Sequence, residues 1–305
     1  MASYPSPQPA LSWTIVGRGA IGLLAGARLQ LAGYLPTLWL KQPEKLALIF
    51  TDIQQKNQQL LLSPQQIDTP IRRLLLPVKA YDVAKALTQL TPLLADNAQI
   101  ILSHNGIIPL QPILQQLKPD QGLWFLSTSQ AAYKLLPHHV VHSGEGSSYL
   151  ARLTAGCAWD DSIVAAMTAA LGPLSMVADI YPILWQKLAV NAAINPLTAL
   201  ENCQNGQLAQ PRYQQQISAL VSEVCQVATA LGYAMDVAST VSRVNQVIAA
   251  TAANYSSMQQ DMLSGRQTEI DAICGYVCQQ AAHLNIAVPA NQAMLAQVIA
   301  KTAVS

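Results

Sequence analysis

The sequence is poor in charge of either sign. Charged residues make up 11% of the 305 residues, and the net charge at pH 7 is +1. A surface that binds a nucleic-acid backbone needs a concentrated positive field, and an acidic tail needs a run of like charges. The composition offers neither, so we expect no nucleic-acid partner.

Long apolar runs are absent as well, although hydrophobic residues reach 51% of the chain. Arg28 and Pro36 interrupt the apolar window at residues 20–40, and Asp179 interrupts the one at residues 162–185. A membrane helix needs about 20 predominantly apolar residues in a row. These windows therefore predict buried helices and strands, and we expect no membrane association.

Cysteine is scarce and odd in number. The five cysteines form no CxxC pair and indicate no disulfide framework; they lie at positions 157, 203, 225, 274 and 278. Cys274 and Cys278 would share one helical face, but two thiols without further ligands nearby favour packing over metal binding. We therefore expect no metal cofactor and a reducing, cytoplasmic location.

The start of the chain, MASYPSPQPALSW, contains no basic residue before Arg18. It therefore lacks the charged region that opens a secretory signal. We interpret residues 1–11 as a flexible polar lead. Nothing in this stretch indicates export, which agrees with the expected cytoplasmic location.

Two patterns of apolar residues divide the chain. Between Leu11 and about Leu126, short apolar runs alternate with helical patterns, as they do in βαβ units that feed a parallel sheet. Strands are expected near residues 12–17, 36–40, 72–77, 98–103 and 123–127, and helices near 20–32, 82–95 and 109–117. Helical periodicity then dominates near residues 180–200, 211–231, 236–252, 266–284 and 290–302. The sequence therefore predicts an α/β domain over residues 1–178 and an all-helical domain over residues 179–305.

A glycine motif follows the first predicted strand. In WTIVGRGAIGLLAG an apolar strand runs into three glycines with GxGxxG spacing and then into a helix rich in Leu and Ala. In a Rossmann-type fold these glycines allow a tight turn, close approach of a pyrophosphate, and packing of the helix against the strand. The motif predicts a dinucleotide site, with a tight turn that binds nothing as the alternative. Its residues are Gly17, Arg18, Gly19, Ala20, Ile21 and Gly22.

Three polar residues follow other predicted strands. Lys41 lies about twenty residues past the glycine motif, where NAD-binding proteins usually carry Asp or Glu for the ribose hydroxyl. A cation there suits a 2′-phosphate and favours NADPH, although a solvated lysine is the alternative because Lys lacks the fork of Arg. Lys79 and Asn105 follow two further strands, at carboxyl ends where open α/β sheets bind ligands. Polar residues are also ordinary loop formers at such places.

A polar stripe interrupts the apolar sequence QKLAVNAAINPLTALENCQNG. Lys187, Asn191 and Asn195 are spaced at i, i+4 and i+8, so one face of a helix would present all three. An ammonium partly buried among Ala, Val and Leu has a lowered pKa and can donate a proton to a carbonyl oxygen. The alternative is a polar network that fixes helix packing, with Asn195 marking a kink before Pro196.

Several blocks together resemble the ketopantoate reductase (2-dehydropantoate 2-reductase) family. They are GRGAIG, LPVKAYD at 76–82, LSHNG at 102–106, KLAVNAAINPLTALENCQNG at 187–206 and NYSSMQQDMLSGRQTEID at 254–271. The resemblance implies a Rossmann-type dinucleotide-binding domain and an all-α domain similar to the C-terminal domain of 6-phosphogluconate dehydrogenase. It also implies NADPH-dependent reduction of ketopantoate to pantoate, on the way to pantothenate (vitamin B5) and coenzyme A.

The resemblance implies roles for single residues as well. Lys187 matches the family's catalytic lysine, and Glu269 matches its active-site glutamate. Lys41 and Lys79 fall where the family contacts the cofactor, as does Asn105, although Lys41 replaces an Arg that is often found there. The positions that hold substrate or support the site are matched by Asn105, Asn191, Asn195, Asn205, Asn254 and Ser257.

Two alternatives remain open beside this activity. One is a reductase of another branched 2-keto acid on the same scaffold, and the other is a non-catalytic dinucleotide-binding protein. Lys187 and Glu269 argue against the second, because a protein that only binds a dinucleotide has no use for both. The expected partner is a small 2-keto acid, and the expected state is a monomer or homodimer. Gln130, in the block STSQAAYK, departs from the family pattern and suggests no role.

Overall fold

The structure is a computed structural model that describes residues 11–154 and 161–303. Apart from Leu11, the lead predicted over residues 1–11 lies outside the described residues, and so does Cys157. Within the described part, no helix is both long and apolar enough to cross a membrane.

The chain divides into two compact units. The first comprises residues up to His104 together with Leu110–Ile180, and the second comprises Asn105–Pro109 together with Tyr181–Ser305. The main division therefore falls after Ile180, close to the predicted one after residue 178. The short segment at 105–109 was expected in the first domain. It belongs to the helical unit because the Ile107 amide donates a hydrogen bond of 2.9 Å to the Ala272 carbonyl.

One sheet of eleven strands runs through the described part of the first unit. The strands are Ser12–Val16 (β1), Leu35–Trp39 (β2), Leu46–Thr51 (β3), Asn57–Pro64 (β4), Ile71–Leu76 (β5), Leu94–Leu102 (β6), Gly122–Thr128 (β7), Ala131–Leu136 (β8), His139–Gly144 (β9), Ser148–Arg152 (β10) and Leu174–Met176 (β11). Their order is β11-β10-β7-β6-β5-β1-β2-β4-β3-β9-β8. The strands from β7 to β4 are all parallel and follow the doubly wound order of a Rossmann-type sheet, so the predicted α/β fold is confirmed.

The five predicted strands correspond to β1, β2, β5, β6 and β7. These strands are rich in buried apolar residues, as is usual for a parallel sheet covered on both faces. The antiparallel hairpin of β3 and β4 was not predicted: β4 (NQQLLLSP) buries only Leu62, but β3 (LALIFT) buries four of its six residues, so exposure explains only the second strand. The strand β8 (AAYKLL) was also missed, and none of its side chains is buried. A strand without a buried face has no apolar pattern that a sequence can show.

A buried helix lies at the centre of the first unit. The helices of this unit are Ala20–Leu31 (α1), Val83–Leu90 (α2), Gln111–Leu114 (α3) and Asp161–Leu171 (α4). The first, AIGLLAGARLQL, packs against β1, β2, β8, β9 and α4, and Leu23, Leu24 and Leu29 are fully buried. A helix that is apolar around most of its circumference is stable only where it is covered on most sides. This packing fixes the beginning of α1 at the end of β1.

Gln130 joins three segments of the first unit. Its Nε2 donates to the carbonyl oxygens of Gly146 (2.6 Å) and Gly172 (2.8 Å), and its Oε1 lies 2.8 Å from Nε2 of His142. Burial, and then the positive charge of Arg28, lower the pKa of His142. A neutral imidazole can donate from Nε2 to the Gln130 oxygen, so the buried amide is satisfied at both ends. The structure thus gives Gln130 a packing role where the sequence suggested none.

The second unit is helical, as predicted. Its helices are Tyr181–Glu201 (α5), Pro211–Ala230 (α6), Val237–Ala250 (α7), Ser257–Leu263 (α8), Cys274–Leu284 (α9) and Pro289–Ala303 (α10). The long helix α5 contacts α6, α7, α8 and α10 and forms the core of the unit. Its residues Trp185, Leu188 and Ala192 are buried. The elements around α5 therefore determine what its polar residues meet.

The helix predicted over residues 266–284 was wrong in its first half. The helix α9 begins only at Cys274, after a turn and a short 3-10 helix at Ile270–Ala272. The preceding helix, α8, was not predicted and ends just before Gly265, which adopts a φ of +62°. Residues with such a φ stop a right-handed helix. The sequence SGRQTE after α8 is therefore a turn, and Glu269 is not a helical residue.

The four cysteines within the described residues are free. Burial raises the pKa of each thiol, and for Cys274 and Cys278 the carboxylate of Glu223 adds to the effect. A thiol that stays protonated is a poor nucleophile and a poor metal ligand. These cysteines pack as small apolar side chains.

A carboxylate on α6 holds the beginning of α10. Oε1 of Glu223 accepts the Ala290 amide at 2.7 Å, and its Oε2 accepts both the amide and the side-chain Nδ2 of Asn291 at 2.8 Å. The first amides of a helix have no partner within the helix, and a negative charge beside them is favourable. The contact therefore ties two helices of the unit together.

Glu223→Ala should lower the free energy of unfolding by about 2 kcal/mol, because three donors lose a charged acceptor. Chemical denaturation followed by the helical circular-dichroism signal measures the change. Glu223→Gln keeps one acceptor oxygen and should lose about half as much. Ser222→Ala changes the exposed neighbour on the same helix and serves as the control. A Glu223→Ala protein with the denaturation midpoint of the wild type would contradict the role given to this carboxylate.

Candidate active site

The glycine motif forms the strand, turn and helix that its sequence predicts. Gly17 follows β1 with a φ of +80°, and its amide donates to the Trp39 carbonyl at the end of β2 at 2.9 Å. That φ is strained for any residue with a side chain. A Cβ on Gly22 would lie 3.1 Å from Cγ of Pro77 and 3.4 Å from Cγ2 of Ile15. The contact with Pro77, which follows β5, is tighter than ordinary packing, so a side chain at position 22 would force a small shift of Pro77 or of α1, and glycine is favoured here.

The beginning of α1 is suited to an anion. Gly19 precedes the helix in an extended conformation, no side chain caps it, and no acidic residue lies in the first turn. The first amides of a helix carry partial positive charge and need acceptors from outside the helix. Gly19 is exposed, so the backbone can be approached closely here. These features fit the pyrophosphate of a dinucleotide.

Three cationic side chains lie near the carboxyl ends of neighbouring parallel strands. Arg18 follows β1, is exposed, and forms an ion pair of 2.9 Å with Glu44. Lys41 is exposed and comes just after β2. Lys79 is partly buried and begins the short 3-10 helix Ala80–Asp82 after β5. The parallel pairing of β1 with β2 and β5 brings these strand ends to one edge of the sheet.

The polar stripe lies on α5, as predicted. Lys187 and Asn191 are partly buried, and Asn195 is only 8% exposed. Pro196 lies inside the helix, which continues to Glu201. The residues between the polar ones, among them Leu188 and Ala192, pack into the core of the unit. The stripe is therefore the polar face of an otherwise apolar helix.

The carboxylate of Glu269 is buried near Lys187. Glu269 is 4% exposed, and Nδ2 of Asn105 donates to its Oε2 at 3.3 Å. Burial lowers the pKa of Lys187 to about 8, and the negative charge of Glu269 acts in the opposite direction. The structure thus brings Lys187, Glu269 and Asn105 together within the helical unit. An amine with this pKa can donate a proton near neutral pH.

The turn that carries Glu269 is held by an ion pair. Nε of Arg266 donates to Oδ1 of Asp261 at 3.0 Å, and the Arg266 amide donates to the Asp261 carbonyl at 2.8 Å. Asp261 is 4% exposed at the end of α8. Further along, the Ala272 carbonyl accepts the Ile107 amide. Both ends of the turn are therefore fixed, which explains why Glu269 is buried although its sequence context looks helical.

The remaining predicted residues cluster around the beginning of α8. Asn205 is 7% exposed, its amide donates to the Asn254 carbonyl at 2.9 Å, and its Nδ2 donates to Oγ1 of Thr251 at 2.9 Å. Asn254 and Ser257 are exposed. Asn205 thus has a clear structural contact, while Asn254 and Ser257 offer polar groups at the surface of this unit.

Sequence reasoning missed a hydroxyl pair between α5 and α8. Oγ1 of Thr198 donates to Oγ of Ser256 at 2.7 Å, and Oγ of Ser256 in turn accepts the Gln259 amide at 3.1 Å. Thr198 follows Lys187 by three helical turns and falls on nearly the same face. Looking three residues beyond Asn195, the other spacing that keeps residues on one helical face, would have found it. The pair fixes the beginning of α8 against α5.

Among the described residues, no group of three or more His, Cys, Asp and Glu side chains could hold a metal ion. The charged groups at the described sites are ammonium, guanidinium and carboxylate side chains, and some of them form pairs, as Arg18 does with Glu44 and Arg266 with Asp261. Such groups can bind anions and move protons.

Two family models match most of the chain. The model described as ketopantoate reductase PanE/ApbA matches residues 13–155, and its C-terminal counterpart matches residues 179–302. The chain belongs to the ketopantoate reductase family. The 2-dehydropantoate 2-reductase of Vibrio cholerae is 36% identical over 286 residues, which span 93% of this chain and 95% of the relative. The enzyme of the same name from Yersinia pestis is 32% identical and spans 91% of each chain. As a member of this family, the protein is an oxidoreductase.

Solved structures share the fold. A PanE/ApbA family ketopantoate reductase from Ralstonia eutropha JMP134 is 24% identical with a TM-score of 0.85, covering 96% of this chain and 98% of that one. A D-mandelate dehydrogenase solved with NADH and anilino(oxo)acetate is 21% identical with a TM-score of 0.84 and the same coverage. One fold therefore carries enzymes with different substrates, so the fold alone leaves the substrate open.

Arg266→Ala should speed hydrogen exchange at the backbone amides of residues 264–269, because the turn loses a charged contact to Asp261. The expected cost in stability is about 1 kcal/mol, since the guanidinium is largely exposed. Exchange followed by mass spectrometry measures the effect. Arg243→Ala removes an exposed arginine from α7 and is the matched control. Unchanged exchange at 264–269 in Arg266→Ala would show that other contacts hold the turn.

Proposed function

We propose that this oxidoreductase catalyses the NADPH-dependent reduction of 2-dehydropantoate to (R)-pantoate, in the pathway to pantothenate and coenzyme A. Relatives named 2-dehydropantoate 2-reductase, two of them 36% and 32% identical over 93% and 91% of the chain, support the substrate. The observation that carries the chemistry is the ammonium of Lys187, whose pKa is lowered to about 8 beside a buried carboxylate.

Lys187 is the proposed general acid. Reducing a 2-keto acid requires a hydride at the carbonyl carbon and a proton at the oxygen, which becomes an alkoxide. NADPH, when bound, supplies the hydride. The Lys187 ammonium polarises the carbonyl and donates the proton as negative charge develops on the oxygen. A pKa of about 8 leaves most of the amine protonated at pH 7 while making it a better acid than an exposed lysine.

Glu269 is proposed to keep Lys187 protonated. Its negative charge raises the pKa of Lys187 against the effect of burial, so that the amine stays charged until the proton is needed. A carboxylate oxygen can also accept the hydrogen bond of the substrate's distal hydroxyl. Asn105, which already donates to Glu269, keeps the carboxylate oriented. Asn105 is further proposed to contact the nicotinamide.

Neutral amides and a hydroxyl are proposed to recognise the rest of the substrate. They add donors and acceptors without changing the net charge beside Lys187. A site built to bond a hydroxyl rejects analogues that lack it, because its own polar groups are then left unpaired. The proposed residues are Asn191, Asn195, Asn205, Asn254 and Ser257.

The nucleotide is proposed to bind along the glycine motif, with its pyrophosphate at the beginning of α1. The exposed backbone at Gly19 and the uncapped first turn support this placement. Lys41 and Arg18 would attract a 2′-phosphate, and Lys79 would contact the cofactor from the end of β5. The remaining contacts come from Gly17, Ala20, Ile21 and Gly22.

A second candidate activity is the reduction of another branched 2-keto acid on the same scaffold. The D-mandelate dehydrogenase with the same fold shows that the architecture tolerates a different substrate. NADPH oxidation measured against ketopantoate, 2-ketoisovalerate and acetolactate separates the candidates. We expect the highest kcat/KM for ketopantoate, and a higher value for either other acid would contradict the proposed substrate.

The proposed setting is the cytoplasm, with a monomer or a homodimer as the working state. The free, protonated cysteines agree with a reducing compartment. The solved ketopantoate reductase from Staphylococcus aureus is described as dimeric, and it shares the fold with a TM-score of 0.81.

The rate of ketone reduction should depend on the protonation of Lys187. We expect kcat/KM to be constant near pH 7 and to fall above about pH 8, because the deprotonated amine cannot act as an acid. Lys187→Arg keeps the positive charge but does not release its proton in this range. It should lower kcat by roughly 10²- to 10⁴-fold and abolish the alkaline fall.

Glu269→Gln tests whether the negative charge of Glu269 raises the pKa of Lys187. Removing the negative charge leaves burial as the dominant effect on Lys187, so its pKa should fall and the alkaline limb should move to lower pH. Steady-state kinetics between pH 6 and about 10 measure both variants. A Lys187→Arg enzyme with the turnover and pH profile of the wild type would refute the acid assignment.

Lys41→Asp should shift cofactor preference from NADPH towards NADH. A carboxylate at this position repels a 2′-phosphate and can accept a hydrogen bond from a 2′-hydroxyl. The ratio of kcat/KM with NADPH to kcat/KM with NADH should fall by roughly tenfold or more. Lys56→Asp makes the same charge change in the turn of the hairpin of β3 and β4 and is the control. If the ratio is the same in both variants, the 2′-phosphate contact lies elsewhere.

A further inference from the structure

One carboxylate lies among the cations near the glycine motif. Glu44 lies between Lys41 and Lys45, in the segment that follows β2. Its Oε1 is 2.9 Å from Nη1 of Arg18, and both side chains are 51% exposed. The ion pair therefore joins the glycine turn to the segment after β2.

The backbone places this ion pair where a Rossmann-type site reads the adenosine ribose. Val16 lies opposite Trp39 in the parallel pair of β1 and β2, and the Gly17 amide donates to the Trp39 carbonyl. The segment after the second strand is the part of such a fold that distinguishes a 2′-hydroxyl from a 2′-phosphate. Arg18 is directed towards this segment, and Glu44 is the partner that holds it there.

We propose that Glu44 is a specificity-determining residue, because it holds Arg18 in an ion pair that a 2′-phosphate must displace. Glu44 thereby weakens the preference for NADPH over NADH. This inference rests on the proposed use of NADPH, since it concerns how strongly the same site selects that nucleotide.

The charges at the site allow a 2′-phosphate to replace Glu44 as the partner of Arg18. Arg binds phosphate through two parallel hydrogen bonds, and a phosphate monoester carries more negative charge than a carboxylate. An exposed ion pair is weak, so the need to displace Glu44 reduces the affinity for NADPH by a factor of roughly two to five. A carboxamide at position 44 can still bond the guanidinium but does not compete through charge. Glu44→Gln therefore isolates the effect of the negative charge.

Direct binding measures this effect without turnover. Isothermal titration calorimetry with NADPH and with NADH is performed on the wild type, Glu44→Gln and Asp120→Asn. Asp120 is an exposed acid just before β7, at the amino-terminal edge of the parallel strands, so Asp120→Asn removes the same charge at the opposite edge of the sheet. Glu44→Gln should lower the Kd for NADPH roughly two- to fivefold and leave the Kd for NADH nearly unchanged. Asp120→Asn should change neither value.

A double variant tests whether Glu44 acts through Arg18. Arg18→Gln should weaken NADPH binding. Adding Glu44→Gln to Arg18→Gln should not restore any affinity for NADPH. The inference is overturned if Glu44→Gln leaves the ratio of the two Kd values unchanged. It is also overturned if Glu44→Gln still raises the affinity for NADPH in the Arg18→Gln background, or if Asp120→Asn raises it equally. A wild type that binds NADH more tightly than NADPH would contradict the proposed function instead, and the comparison of Glu44→Gln with the wild type would still decide the inference.

Discussion

The buried carboxylate of Glu269 is the group on which the proposed chemistry of the helical unit depends. Burying an ammonium among apolar side chains favours its neutral form, and Lys187 lies on a helix most of whose apolar residues are in the core. The charge of Glu269 opposes this effect, and the result is a pKa of about 8 for Lys187. Without the carboxylate the amine would lose its proton more readily, and without burial it would be too weak an acid. The proposed catalysis needs both conditions together.

Burying a carboxylate has a cost of its own, which hydrogen bonds and a well-ordered backbone must offset. Here Asn105 donates to Glu269, and the turn before Glu269 is fixed by the contacts between Asp261 and Arg266. The segment that supplies Asn105 is tied to the same region by the bond between Ile107 and Ala272. The helical unit thus orients Glu269 mainly through backbone and buried polar contacts, and exposed side chains contribute less.

In the α/β unit, backbone groups and side chains have different proposed roles. Its backbone forms the proposed anion site, because Gly17 makes the turn, Gly22 lets α1 pack closely against Ile15 of β1 and against Pro77, and no side chain caps the first amides of α1. The proposed selection between NADPH and NADH falls to exposed side chains after β1 and β2. Backbone geometry requires particular glycines, whereas exposed charges can change without affecting the fold. The motif is therefore readable in the sequence, while the proposed selectivity rests on side-chain pairs such as that of Arg18 with Glu44.

The sequence by itself determined the two kinds of unit, the five central parallel strands and the polar face of α5, because each has a periodic apolar pattern or an obligatory glycine. It did not reveal β4 or β8, whose side chains are mostly exposed, or the true start of α9 at Cys274. Only the tertiary structure decided that Asn105 belongs with the helical unit and that Glu269 is buried. These facts depend on contacts between residues far apart in the chain, such as Ile107 with Ala272, and such contacts leave no local pattern in a sequence.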